Sequence, residues 1–234
     1  MSSRPSAQSG TSKNPDVWVV IPLYNEAQVI GKVIDELHAK FENVVCVDDG
    51  STDGSGAIAA AHGARVVTHP INLGQGAALQ TGITFARVRP ETQYVVTFDA
   101  DGQHRIEDAL AMLQLARTEH LGCVFGSRFL DDRTQPGFLK KVVLKTAVVV
   151  TNFSTHMKLT DAHNGLRVLS VDTCQKINML QDRMAHASEI VAQIGKAHVT
   201  WKEYPVEVLY TDYSKAKGQS LLNAVNILFE LIVK

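Results

Sequence analysis

Between residues 17 and 125, short apolar, β-prone runs alternate with helical patterns, and this alternation constrains the 234-residue chain more than any other feature. Strands are expected at 17–22, 43–47, 64–68, 93–98 and 121–125, and helices at 27–40, 55–62, 75–87 and 106–120. Strands joined through helices return to the same edge of a sheet and run parallel. The expected fold class is therefore α/β, a doubly wound, mostly parallel sheet with helices on both faces. An apolar content of 45% is sufficient for its core.

Each strand ends in polar punctuation, at the edge where open α/β sheets hold ligands. The clearest case is Tyr94-Val95-Val96-Thr97-Phe98-Asp99-Ala100-Asp101-Gly102-Gln103-His104. Two carboxylates one residue apart project to the same side of an extended chain, and Gly102 lets the backbone turn so that Gln103 or His104 folds back towards them. Paired carboxylates and an amide oxygen are hard ligands suited to Mg2+ or Mn2+. The same pair can equally cap the helix expected from Ile106.

The loop Pro22-Leu23-Tyr24-Asn25-Glu26 follows the first strand, and Asp48-Asp49-Gly50-Ser51-Thr52-Asp53 the second. Asp49 can accept from a nucleobase N–H or a ribose hydroxyl, and Ser51 or Thr52 is expected as the N-cap of the next helix. After the third strand, Asn72-Leu73-Gly74-Gln75-Gly76 can bring backbone N–H groups close to a phosphate at a helix N-terminus. Singly, each loop reads as an ordinary turn; four acidic or Gly-rich loops on one edge favour ligand binding. The P-loop pattern is absent, and Leu79 stands where the Rossmann fingerprint needs its third glycine. A P-loop NTPase and an NAD dehydrogenase are disfavoured.

These loops, with Gly126-Ser127-Arg128-Phe129, resemble the ordered signatures of family 2 inverting glycosyltransferases, and within them the polyprenyl-phosphate sugar transferases of the dolichol-phosphate mannose synthase group. The resemblance implies a GT-A-type domain that inverts the anomeric centre. It places Pro22, Tyr24, Glu26, Val47 and Asp49 against the base and ribose of a UDP- or GDP-sugar, with Gly74 beside them. Asp99, Ala100, Asp101 and Gln103 would surround the metal and diphosphate, with Asp101 and Gln103 as direct ligands and Asp99 in the metal set. Arg128 would meet the leaving diphosphate or the acceptor phosphate. Lys140, in Gly137-Phe138-Leu139-Lys140-Lys141, and Lys215, in Tyr213-Ser214-Lys215-Ala216-Lys217-Gly218, would serve the acceptor phosphate.

A phosphate acceptor is already anionic and needs no general base, whereas a sugar hydroxyl does. Asp161, in a segment resembling the acceptor-side loop, could orient a substrate, and Glu189, near the start of a further helix, is the candidate base or acceptor-side carboxylate. A turn cap and an exposed helix position are their plainer uses. The Q-x-x-R-W pattern of processive synthases is absent. An arginine often found before the Ser-Lys pair in lipid-phosphate relatives is also absent from Tyr210-Thr211-Asp212-Tyr213. Two other readings stand beside the lipid acceptor: transfer to a sugar hydroxyl, and a non-catalytic nucleotide-sugar sensor.

Residues 1–15 are read as a disordered tail, 16–212 as the transferase domain, and 213–234 as a basic loop and amphipathic helix. Leu221, Leu222, Val225, Leu228, Phe229 and Ile232 give that helix an apolar face, for a membrane interface or for a core or homodimer contact. No run reaches the ~20 apolar residues of a spanning helix, so peripheral association with a cytoplasmic membrane face is expected. Cys46, Cys123 and Cys174 are too few and too scattered for a disulfide framework or zinc site. A formal net charge of -1 argues against a nucleic-acid partner.

Overall fold

A computed structural model describes residues 13–131, 146, 148, 152, 155, 157–181 and 185–209. Within them a single sheet is built from β1 (Val17–Leu23), β2 (Asn43–Asp48), β3 (Arg65–Thr68), β4 (Tyr94–Thr97), β5 (Cys123–Ser127), β6 (Arg167–Ser170) and β7 (Trp201–Pro205), in the order β3-β2-β1-β4-β6-β5-β7. The pairs β1/β2, β2/β3, β1/β4 and β5/β7 are parallel. Only β6 runs the other way, wedged between β4 and β5.

Alternation along β1 divides the core. Val17, Val19, Ile21 and Leu23 face α1 (Ile30–His38) and α4 (Ile106–Thr118), meeting Ile30, Ile34, Leu37, Met112 and Leu113. Trp18 and Val20 face α3 (Gln75–Arg87), α5 (Val171–Lys176) and α6 (His186–Lys196), meeting Leu79, Ile83, Cys174, Ile190 and Ile194. A period of two in the strand and of three to four in the helices thus fills both layers. The short α2 (Ser55–Ala61) adds Ala59 to the first.

Three local details depart from the sequence reading. The helix expected from 27 begins at Ile30, because Asn25 takes a positive φ of 54° and the Ala27 N–H is held by Asp53. Neither Ser51 nor Thr52 caps α2: its N-cap is Gly54, while the Ser51 hydroxyl accepts from Asn25 N–H and the Thr52 N–H donates to Asn25 Oδ1. Residues 13 and 14, within the expected tail, are bonded to the domain, Lys13 C=O accepting from Glu42 N–H and Asn14 Oδ1 from Arg117. The segment 213–234, with the expected amphipathic helix, lies outside the described residues.

The closeness of α3 to the sheet matters for function, since α3 begins at the Gly-rich turn. Gly82 makes it possible: a Cβ there would lie 2.3 Å from Val20 Cγ1 and 3.3 Å from Val47 Cγ2. Overpacking of this kind costs about 1–3 kcal/mol, against about 1 kcal/mol gained in helix propensity on replacing glycine by alanine. Gly82→Ala is therefore expected to lower stability, by about 1 kcal/mol, read as a reduced urea midpoint with an unchanged m-value; an unchanged midpoint would mean that α3 stands off the sheet.

Candidate active site

The loops after β1 and β2 are knitted into one rim. Asn25 and Glu26 donate their N–H groups to the hydroxyls of Ser51 (3.0 Å) and Ser55 (2.8 Å), and Ser51 N–H donates to Asp48 Oδ1 (2.9 Å). Pro22 and Glu26 are half-buried on this rim, and Tyr24 projects from it, 47% exposed. Val47 lies below, its side chain wholly in the core.

Asp49, at the end of β2, is turned inward. Its Oδ1 accepts from Leu73 N–H (2.9 Å) and pairs with His69 Nδ1 (2.7 Å), and its Oδ2 accepts from Gly74 N–H (2.7 Å). Gly74, with φ 106°, is the N-cap of α3, and its N–H is committed to Asp49. A carboxylate offers about four lone-pair directions, so one remains, on Oδ2, for an incoming hydrogen.

Asp99 and Asp101 follow β4. Gly102 adopts φ 71° and the chain reverses, which brings His104 Nε2 to 2.8 Å from Asp99 Oδ2. Gln75, the first residue of α3, reaches Asp99 Oδ1 at 3.3 Å, so the Gly-rich turn and the acidic loop meet. On the other side Gly165 lies so close that a Cβ would fall 2.3 Å from Asp99 Oδ2. Burial alone would raise the Asp99 pKa, but His104, with Arg167 and His186 nearby, holds it below the usual carboxylate range. Asp101 has the opposite environment: burial first, then the charge of Asp99, with Glu26 adding to it, push it up to about 6. Ala100 is buried between them. The Gln103 N–H donates to Asp101 Oδ1 and its C=O accepts from Leu209 N–H.

These residues fit a hard divalent cation. Mutual repulsion that raises one carboxylate while its neighbour stays ionised is what an ion of charge two would relieve. Among the described residues no three His, Cys, Asp or Glu side chains converge on a metal geometry. Mg2+-like ions are commonly held by one or two carboxylates and complete their shell with phosphate and water.

Arg128, just beyond β5, is engaged by Asp161 in a bidentate pair, Nε–Oδ2 2.6 Å and Nη2–Oδ1 2.8 Å, and its N–H donates to the same carboxylate. Asp161 is buried, yet Arg128 keeps its pKa low. Glu203 of β7 fixes this loop by accepting from the N–H groups of Thr160 (2.8 Å) and Asp161 (3.1 Å). The neighbouring His163 is driven down to about 4, chiefly by burial, and is neutral.

Glu189 does something else: it accepts from the N–H groups of Leu180 and Gln181, closing the turn ahead of α6. Lys140 and Lys215 lie outside the described residues. The sequence reading passed over three groups near this edge. His69 and Thr81 stand behind Asp49, and Arg167, on β6, is fully buried with Asp99 and Asp161 as its neighbouring carboxylates. A histidine directly after a strand end and an arginine inside an apolar strand were the available signals.

The sequence profile described as Glycosyl transferase family 2 matches residues 18–177. The chain belongs to that family. An uncharacterized protein of Methanocaldococcus jannaschii is 32% identical to this family 2 glycosyltransferase over 98% of its chain and 96% of the relative. A UDP-N-acetylglucosamine–dolichyl-phosphate N-acetylglucosaminyltransferase of Methanococcus voltae is 26% identical, over 93% and 95%. Among solved structures, glucosyl-3-phosphoglycerate synthase of Mycobacterium tuberculosis, in complex with Mn2+, UDP and phosphoglyceric acid, superposes with a TM-score of 0.67 at 16% identity, covering 93% of this chain and 78% of that one. Likeness at that identity establishes the GT-A architecture.

The Arg128–Asp161 pair is well enclosed, at 11% and 1% side-chain exposure. Removing one partner of such a pair strands the other charge and costs about 3–5 kcal/mol. Asp161→Ala is expected to lose that much in urea unfolding, and the Asp161→Ala/Arg128→Ala double variant less than the sum of the single losses. Additive losses would mean that the pair is not coupled.

Proposed function

We propose that this enzyme transfers a sugar, with inversion, from a nucleoside-diphosphate sugar to a polyprenyl phosphate, using Mg2+ or Mn2+. The observation that carries the reading is the convergence of Asp99 and Asp101 with the α3 turn, and of Asp99 with Arg167, whose other charged neighbours are Asp161 and Arg128. Nucleoside and diphosphate lie along the β1–β4 edge, and the acceptor lies towards Arg128. Asp99, Asp101 and Gln103 would hold the metal, which would supply positive charge against the leaving diphosphate. Glu26 and Tyr24 border the nucleoside side; Arg128 presents its positive face to phosphate.

A lipid phosphate is favoured over a sugar hydroxyl by the state of Asp161. Both its oxygens are committed to Arg128, which suits it to hold a cation in place better than to take a proton. The full-length similarity to the Methanococcus voltae enzyme supports the same acceptor class. Glu189, bound to its own turn, is not assigned a catalytic role. Lys140 and Lys215 are proposed to complete the acceptor phosphate site. Among the described residues no helix is long and apolar enough to cross a membrane, and we place the enzyme peripherally at the cytoplasmic face.

The test is release of nucleoside diphosphate from a panel of UDP- and GDP-sugars with Mn2+, with and without a short polyprenyl phosphate. Lipid-stimulated release that is abolished in Asp101→Ala and reduced in Lys140→Ala and Lys215→Ala is expected. Release indifferent to lipid would move the acceptor to a hydroxyl, and tight binding without turnover would leave a sensor.

Proton and cation compete for Asp101. Its pKa is raised to about 6, so it is protonated below that pH and anionic above it. Mn2+ affinity is expected to fall about tenfold per pH unit below about pH 6 and to level off above it. The Mn2+-induced rise in Tm should therefore be larger at about pH 7.5 than at about pH 5, and Asp101→Asn should remove the difference. A shift of equal size at both pH values would exclude Asp101 as a ligand.

A further inference from the structure

His69 is buried at the end of β3 and has no part in the site as assigned so far, yet both ring nitrogens are placed. Nδ1 is 2.7 Å from Asp49 Oδ1 and Nε2 is 3.0 Å from Thr81 Oγ1, while its own N–H donates to Asp48 C=O (2.9 Å). Asp49 Oδ1 already accepts from Leu73 N–H, so it is the acceptor for His69 as well, and Nδ1 carries the hydrogen. Nε2 is hydrogen-bonded to the Thr81 hydroxyl, which can serve as donor or acceptor. The result is a chain from α3 through the end of β3 to the end of β2, which finishes in two main-chain N–H groups, those of Leu73 and Gly74.

We propose that His69, backed by Thr81, is a positioning residue for the donor nucleotide. It sets the rotamer of Asp49, and Asp49 in turn sets the Leu73–Gly74 turn from which α3 starts. Three consequences depend on that setting: the direction of the one open lone pair on Asp49, the path of the turn at the nucleotide edge, and the reach of Gln75 to Asp99 (3.3 Å). Neither His69 nor Thr81 needs to touch the nucleotide for this. Rotation of Asp49 by one rotamer would release both N–H groups of the turn and withdraw its acceptor from the ligand side. The inference rests on placing the nucleotide along the β1–β4 edge.

The experiment measures binding of UDP and of GDP, each with Mn2+, by calorimetry on the full chain, together with donor KM and kcat. His69→Phe removes both hydrogen bonds; His69→Asn keeps an N–H near the Nδ1 position; Thr81→Val removes only the hydroxyl at constant shape. For His69→Phe we expect nucleotide Kd and donor KM to rise about tenfold, the low end of what losing an orienting partner costs, with kcat and acceptor KM within about threefold of wild type. His69→Asn should restore most of the affinity, and Thr81→Val should fall between. A purely structural role would lower Tm in all three without this split or this rescue. Wild-type affinity in a cooperatively melting His69→Phe overturns the proposal. If that variant fails to fold, an unchanged donor KM in Thr81→Val overturns it. A wild-type protein that binds neither nucleotide fails earlier, at the placement of the donor, and takes this inference with it.

Discussion

Negative charge crowded at one end of a sheet is the constraint on which the rest depends. Glu26, Asp48, Asp49, Asp99 and Asp101 all stand at or just beyond the carboxyl ends of β1, β2 and β4, where water is partly excluded. Each is stabilised differently. Asp49 is surrounded by N–H donors, Asp99 is balanced by His104 with Arg167 behind it, and Asp101 is left to hold its proton more tightly than a free carboxylate would. The turns, the buried histidines and the choice of glycine beside Asp99 follow from accommodating these groups at short range.

The two halves of the site are held by unlike means. At the ends of β1 to β3, main-chain N–H groups and hydroxyls join three consecutive loops, so that rim is a lattice of neutral donors around anions. Beyond β5, one bidentate ion pair and the clamp of Glu203 fix a single loop. The first arrangement recognises a ligand by shape and direction; the second presents charge.

Much of this was legible in the chain. The alternation up to residue 125 dictated parallel strands, and α3 was expected over the same span, 75–87, that it occupies. The acidic and Gly-rich loops were expected on one edge, and Gln75 of the one does meet Asp99 of the other. What was not legible is non-local. Nothing in Arg167–Ser170 announces that this strand inserts between β4 and β5 in the opposite sense, and Trp201–Pro205, interrupted by Lys202 and Glu203, has no clean alternation. That Asp49 also holds His69, 20 residues away, and that Arg128 is paired with Asp161, 33 residues away, could not be read from either motif. Short motifs specify which groups arrive at an edge; long-range pairing decides which of their atoms stay available.

The reversed strand β6 also bears on how the molecule comes to be. β1 meets β2 across about 25 residues and β2 meets β3 across about 20, whereas β1 meets β4 across 77 and β6 meets β4 across 70 to 76, with Thr97 Oγ1 donating to Gly165 C=O. Loop-closure entropy favours the first two pairings, and chain order separates the other two, since β1/β4 is complete within the first hundred residues. The half of the sheet that ends in the acidic loops has its contacts early in the chain, and Gly165 reaches Asp99 only once β6 has docked. During synthesis, the first hundred residues can therefore take up their sheet order before the Arg128–Asp161 loop exists, and changes in residues 160–170 fall on a part that is added later.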